Sequence, residues 1–169
     1  MNTTVNLYSL SLRESRSLLY AALFVVGNLL LPQLCHLIPQ GGLMLLPIYF
    51  FTLIGAYKYG WQVGLLTALL SPVLNSALFG MPALAVLPGI MVKSALLALA
   101  AAYIAHRHQS VSIALLLAVV LAYQVVGSLV ESAMLGSLVL GFQDFRIGIP
   151  GMLLQVFGGY LFIKYLLKK

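Results

Sequence analysis

Charged residues are scarce in this chain, and acidic ones are the scarcest. Only 7% of its 169 residues are Asp, Glu, Lys or Arg, with three acids against nine Lys and Arg. A soluble domain typically carries about 25% charged residues. Together with a hydrophobic content of 62%, this scarcity predicts an integral membrane protein with no room for a separate soluble domain.

Other residues and motifs that are rare or absent limit the chemistry that the chain can perform. A single cysteine, Cys35, excludes an intrachain disulfide. The chain has no phosphate-binding loop of the G-x-x-x-x-G-K-[ST] type, so it should not hydrolyse ATP itself. His36, His106 and His108 lie outside the apolar runs, and no run contains paired acids or a His-x-x-x-His spacing. We therefore expect no catalytic residue, no metal site and no cofactor.

Long apolar runs are abundant, and turn residues divide them into six. A membrane-spanning helix needs about 20 apolar residues. The predicted spans are residues 17–32, 43–57, 60–78, 83–105, 112–140 and 147–167. The fifth run is long enough to tilt or to contain a break, and the longest connection is residues 32–42. The predicted fold is a single all-α domain, a bundle of six transmembrane helices.

The distribution of basic residues predicts the orientation. With the N-terminus in the cytoplasm, one basic residue lies outside (Arg146) and one lies within a span (Lys93). The other seven are then cytoplasmic: Arg13, Arg16, Lys58, Arg107, Lys164, Lys168 and Lys169. This is the positive-inside pattern. It explains the net charge of +6 without a nucleic-acid partner and places both termini in the cytoplasm.

Polar side chains recur in the outer half of the predicted spans. Lys93 in the fourth span is the most notable, since a charge there costs about 2.5–3.5 kcal/mol on insertion scales. The helix rise of about 1.5 Å per residue puts it about 15 Å below the outer end of that span. Glu131, Gln155 and Asn75 lie at comparable or shallower depths on three other helices. This arrangement predicts a pocket that opens to the outside.

Two interpretations of Lys93 and Glu131 remain open at this stage. The two residues could form a buried ion pair that only fixes helix packing, or they could form part of a ligand site. Tyr123, Gly127 and Glu131 share one face of the fifth span, and the glycine is expected to leave a notch beside the acid. Lys93 would suit a carboxylate or phosphate of a ligand, and Glu131 an amine, ring nitrogen or hydroxyl.

The segment LLPIYFFTLIGAYKYGWQVGLLTALLSPVLNSALFGMPA (residues 45–83) resembles the substrate-binding S component of energy-coupling factor vitamin transporters. The resemblance implies a six-helix subunit of a bacterial or archaeal cytoplasmic membrane that captures a vitamin-like metabolite from outside. It also implies two kinds of partner, a transmembrane coupling subunit and two cytoplasmic ATPases.

The resemblance further implies an outer pocket capped by the loop after the first span. The candidate substrate-binding residues are Asn75, Lys93, Tyr123, Glu131, Gln155 and His36. A pair of small residues in the first span is expected to contact the coupling subunit, and here the matching positions are Ser17 and Ala21. Contact within the bundle is the alternative role for such small residues.

Two other function classes are alternatives for a small, basic membrane protein with six predicted spans. A structural membrane protein of the cell-shape machinery would need no charged pocket, so Lys93 and Glu131 argue against it. An intramembrane enzyme would need a nucleophile and a base within hydrogen-bond distance, and the sequence does not indicate such a pair.

Overall fold

The computed structural model describes residues 3–4, 7 and 14–166, and almost all of these residues are helical. The longer helices are α1 (Ser15–Cys35), α3 (Phe50–Tyr59), α4 (Trp61–Phe79), α5 (Leu87–His108) and α6 (Ile113–Leu135). The shorter ones are α2 (Gly41–Leu45), α7 (Leu138–Gly141), α8 (Gln143–Ile147), α9 (Ile149–Leu153) and α10 (Gly159–Leu161). A 3₁₀ turn covers Pro47–Tyr49, and π-helical turns cover Leu154–Gly158 and Phe162–Leu166.

Five segments are long and apolar enough to cross a membrane. They are Ser15–Cys35, Gly41–Tyr59, Trp61–Phe79, Leu87–His108 and Ile113–Leu135. The prediction of an all-α, multi-pass membrane protein is therefore confirmed. The predicted sixth span corresponds to residues 149–166, called here the C-terminal segment, in which α-helical and π-helical turns follow one another directly. Its role as a span stays a prediction.

Helix α3 lies at the centre of the bundle. It contacts α1, α4, α5 and the C-terminal segment, and from Thr52 to Tyr59 every residue is buried. Gly60 ends the helix with φ 96°, a conformation that favours glycine, and α4 starts at the next residue. This hinge folds α4 back against α3, where Gly64 packs so closely on Ala56 that a side chain would collide with it.

The described elements define two ends of the bundle. At the hinge end, β1 (Thr3–Thr4) pairs antiparallel with β2 (Ser110–Val111), next to the α3–α4 hinge. The Tyr57 hydroxyl donates to the Ser110 carbonyl at 2.7 Å, which ties α3 to this strand pair. At the loop end lie the connections of residues 36–46, 80–86 and 136–148.

Helix ends differ from the predicted spans at three places. α1 continues through Pro32 to Cys35, so the predicted connection 32–42 shrinks to residues 36–40 before α2. α5 begins at Leu87 because residues 83–86 form a turn in which the Val86 amide donates to the Ala83 carbonyl. α6 ends at Leu135 because Gly136 adopts a left-handed conformation (φ 63°), which ends a helix.

Candidate functional site

Lys93 lies at the centre of a buried cluster of three charged side chains. It is fully buried on α5, and its Nζ contacts Glu131 Oε2 on α6. The same Nζ donates to Asp144 Oδ2 on α8 at 2.8 Å. The carboxylate side chains remain slightly accessible, 13% for Glu131 and 17% for Asp144. Two of the three acids in the chain thus meet one ammonium, and we call this set the charged cluster.

Two glycines make room for the charged cluster between α5 and α6. A Cβ at Gly127 would lie 2.6 Å from Lys93 Cγ, and one at Gly89 would lie 2.9 Å from Glu131 Oε1. The notch predicted at Gly127 therefore exists, but it holds the stem of Lys93 and not the acid. The space beside Glu131 comes from Gly89, which the sequence analysis did not single out.

The charged cluster lies closer to the loop end than predicted. Lys93 is six residues from Leu87, the first residue of α5, which places it about 9 Å along the helix. The predicted depth of about 15 Å assumed a helix that began at residue 83. The correction follows from the turn at residues 83–86.

Two aromatic side chains and one amide form a second buried group. Tyr123 on α6 donates from its hydroxyl to Gln155 Oε1 at 3.0 Å, and its ring centroid is 5.5 Å from that of Tyr49. In the described part of the chain, the buried Tyr49 hydroxyl and Gln155 Nε2 have no hydrogen-bond partner. These two groups are available to a ligand or to water.

A cavity of about 520 Å³ opens at the loop end. His36 and Asn75 line it, as do residues 38–43 after α1 and residues 81–83 before α5. No residue of the charged cluster lines this cavity. The link between the two is Ile90, which lines the cavity and follows Gly89, the residue against which Glu131 packs.

The six predicted substrate-binding residues therefore fall into three groups. His36 and Asn75 line the cavity, and Lys93 and Glu131 belong to the charged cluster. Tyr123 and Gln155 are hydrogen-bonded to each other.

The amide of Asn75 is already engaged within the protein. Its Nδ2 donates to the carbonyls of Asn28 (2.8 Å) and Ser71 (3.1 Å), and its Oδ1 accepts from Gln33 Nε2 at 3.4 Å. Asn28, which the sequence analysis missed, donates from Nδ2 to Thr52 Oγ1 at 3.0 Å and to Ser71 Oγ at 3.2 Å. Asn75 therefore shapes the cavity wall by holding α4 against α1.

The position of Ser17 and Ala21 corrects their assignment as a partner surface. They are 0% and 3% exposed, because this face of α1 packs inside the bundle. The spacing of small residues serves internal packing here, which was its alternative role. The exposed face of α1 carries large aliphatic side chains instead: Leu18, Leu19, Leu23, Val26, Leu30 and Leu34.

The residues of the candidate site that sequence reasoning missed left only weak signals in the sequence. Asp144 is one of three acids in the chain and lies 13 residues after Glu131, but it was assigned to a connection between spans.

Within residues 14–166, no three His, Cys, Asp or Glu side chains come together in a way that could hold a metal ion. Comparisons with family models, with curated proteins and with solved structures found no match.

Proposed function

We propose that this chain is the substrate-capturing membrane subunit of an importer of the energy-coupling factor type. The observation that carries the proposal is the cavity of about 520 Å³ at the loop end of a bundle that also holds the charged cluster. Small-molecule pockets typically measure about 300–1,000 Å³ and combine an apolar lining with a few polar groups. The cavity fits a vitamin-sized metabolite by that measure.

The charged cluster favours a transport role over a structural one. Ionisable side chains inside a membrane are costly and commonly mark substrate paths. A structural protein of the cell-shape machinery would have no use for Lys93, Glu131 and Asp144 in its interior. The proposal gives no residue a catalytic role, and it leaves ATP hydrolysis to partner subunits.

The proposed orientation puts the hinge end in the cytoplasm and the loop end outside. The hinge end brings together β1 and the α5–α6 connection, close to the basic residues Lys58 and Arg107. With the C-terminal segment as a sixth span, both termini are cytoplasmic and the cavity faces outwards. In this proposal the subunit lies in a bacterial or archaeal cytoplasmic membrane and delivers its ligand with a coupling subunit and two ATPases.

Ligand protection of single cysteines tests this proposal. Ile38→Cys and Ala83→Cys line the cavity, and each is made in a Cys35→Ala background. A panel of vitamins is screened for protection of these cysteines from a small thiol reagent. Gln109→Cys, exposed at the hinge end, is the matched control and should stay unprotected. If no vitamin protects positions 38 and 83, the cavity is not the capture site.

A further inference from the structure

We infer that the charged cluster recognises a cationic group, so that the captured metabolite carries an amine or another positively charged nitrogen. This inference rests on the proposed function and adds the class of substrate to it.

The charged cluster has one more negative charge than positive charge. Lys93 contacts both carboxylates, but a single ammonium balances only one of them. Within the described residues, Lys93 is the only cation paired with Glu131 or Asp144, and Arg146 on α8 is exposed to the surroundings. A buried charge without a partner is strongly unfavourable. A cation from outside would therefore complete the cluster.

The numbers of hydrogen-bond donors and acceptors in the charged cluster also favour a cationic ligand. An ammonium has three donors, and two ionised carboxylates offer about eight lone-pair sites. Lys93 directs bonds to one oxygen of each carboxylate. The charged cluster therefore has more hydrogen-bond acceptors than donors, which suits a ligand that donates hydrogen bonds.

The two acids of the charged cluster are partly accessible. The exposed fraction is 13% for the side chain of Glu131 and 17% for that of Asp144, whereas Lys93 is fully buried. An incoming group would therefore meet the carboxylates before the ammonium. Ile90, next to Gly89 on α5, lines the cavity, and Glu131 packs against Gly89.

The opposite assignment is an anionic ligand that binds Lys93. Such a ligand would have to displace Asp144 or Glu131 from the ammonium and leave the displaced carboxylate beside it. That exchange adds a negative charge to a cluster that already has an excess of one. The two assignments make opposite predictions for probes of matched size.

Three probes of similar size and different charge separate these assignments. Benzylammonium, benzyl alcohol and benzoate are compared by thermal shift on the full chain in detergent. We expect only benzylammonium to raise Tm, and we expect Glu131→Gln or Asp144→Asn to weaken its binding at least tenfold. Glu14→Gln changes the third acid of the chain and is the matched control. Stabilisation by benzoate, increased in Asp144→Asn, would overturn the inference.

Chemical rescue gives a second measurement that does not depend on the size of the cavity. Lys93→Ala removes the resident ammonium and should lower Tm. Methylammonium should then raise the Tm of this variant well above the change in the unsubstituted protein, with NaCl of equal ionic strength as control. If methylammonium and NaCl act alike on Lys93→Ala, cations do not reach the cluster and the inference fails.

The outcomes also separate this inference from the proposed function. If a neutral or anionic vitamin protects the cysteines at positions 38 and 83, capture stands and the cationic substrate is wrong. If no vitamin protects them, the proposed function fails whatever benzylammonium does.

Discussion

At the scale of single residues, Lys93 shows how a membrane protein keeps an ammonium inside. The side chain is fully buried, yet its Nζ contacts two carboxylates from two different helices. Partners of this kind offset the cost of desolvating the charge. The aliphatic stem of Lys93 fits in the space left by Gly127 on α6. Helix α6 therefore provides both the space for the stem and, through Glu131, a partner for the ammonium.

Removing the ammonium should destabilise the fold more than removing the whole cluster. Lys93→Met leaves Glu131 and Asp144 facing each other, and losing one partner of a buried pair costs about 3–5 kcal/mol. Adding Glu131→Gln and Asp144→Asn removes the stranded charges, so the triple variant should unfold at a higher temperature than Lys93→Met alone. Thermal unfolding in detergent measures this order.

The control for this series is Arg107→Met, which removes an exposed cation at the hinge end. Its free energy of unfolding should change by no more than about 0.5 kcal/mol. A Lys93→Met variant as stable as Arg107→Met would show that the ion pairs do not hold α5, α6 and α8 together.

Some of the site was predictable from single residues, and some was not. Lys93 and Glu131 were identified because charges stand out within apolar runs, and they do contact each other. Asp144 was not, because its position depends on how α7 and α8 fold back over α6, which hydropathy does not encode. Asn28 was not identified because one amide in an apolar helix is common, and the hydrogen-bond partners of its side chain lie 23 to 43 residues away.

At the scale of elements, one amide side chain connects three helices. Asn28 on α1 accepts from the Phe51 amide at 3.2 Å, which caps a backbone donor in the first turn of α3. It also donates to Thr52 on α3 and to Ser71 on α4. The start of the central helix is therefore fixed by a residue of its neighbour and not by its own N-cap, which makes no side-chain hydrogen bond.

Asn28→Leu should loosen α3 from α1 and α4. The substitution removes three hydrogen bonds and leaves the Phe51 amide without this acceptor. Polar contacts between membrane helices average about 0.6 kcal/mol, and a buried donor left unpaired costs about 1–3 kcal/mol. We therefore expect a loss of about 2–4 kcal/mol in the free energy of unfolding. Leu30→Ala, on the exposed face of the same helix, should cost much less, and equal losses would contradict this role of Asn28.

Helix positions followed from hydropathy, but several helix ends did not. The short gap between the predicted spans 43–57 and 60–78 indicated a tight turn, and Gly60 at that turn does have a positive φ. Pro32 was expected to end α1, yet the helix passes through it to Cys35. Proline in a membrane helix is tolerated where groups of neighbouring helices satisfy the hydrogen bonds of the freed backbone. Hydropathy within one segment does not show which neighbouring groups are present.

At the scale of the whole molecule, the two ends of the bundle differ in their chemistry. The loop end holds the cavity and lies near the charged cluster. The hinge end holds the strand pair and the exposed basic residue Arg107. The proposed orientation places the hinge end in the cytoplasm on the basis of the positive-inside pattern, and it can be tested directly.

Cysteine labelling of intact cells should show which end faces outside. In a Cys35→Ala background, a membrane-impermeant maleimide should label Leu84→Cys, which is 78% exposed at the loop end. It should label Gln109→Cys only after permeabilisation. Labelling in the reverse pattern would invert the orientation.

The same assay counts the spans. Lys169→Cys lies outside the described residues but reports the side of the C-terminus. If the C-terminal segment crosses the membrane, this cysteine should behave like Gln109→Cys. If it is labelled together with Leu84→Cys, the chain has five spans and not six.

The strand pair at the hinge end also sets an order of events during synthesis. Thr3–Thr4 pairs with Ser110–Val111, so the first strand leaves the ribosome about a hundred residues before its partner. At about 5–20 residues per second, the wait is about 5–20 s, and α1, α3, α4 and α5 are all synthesised during it. The pairing of β1 with β2 is therefore a late step of biogenesis, although β1 is synthesised before α1.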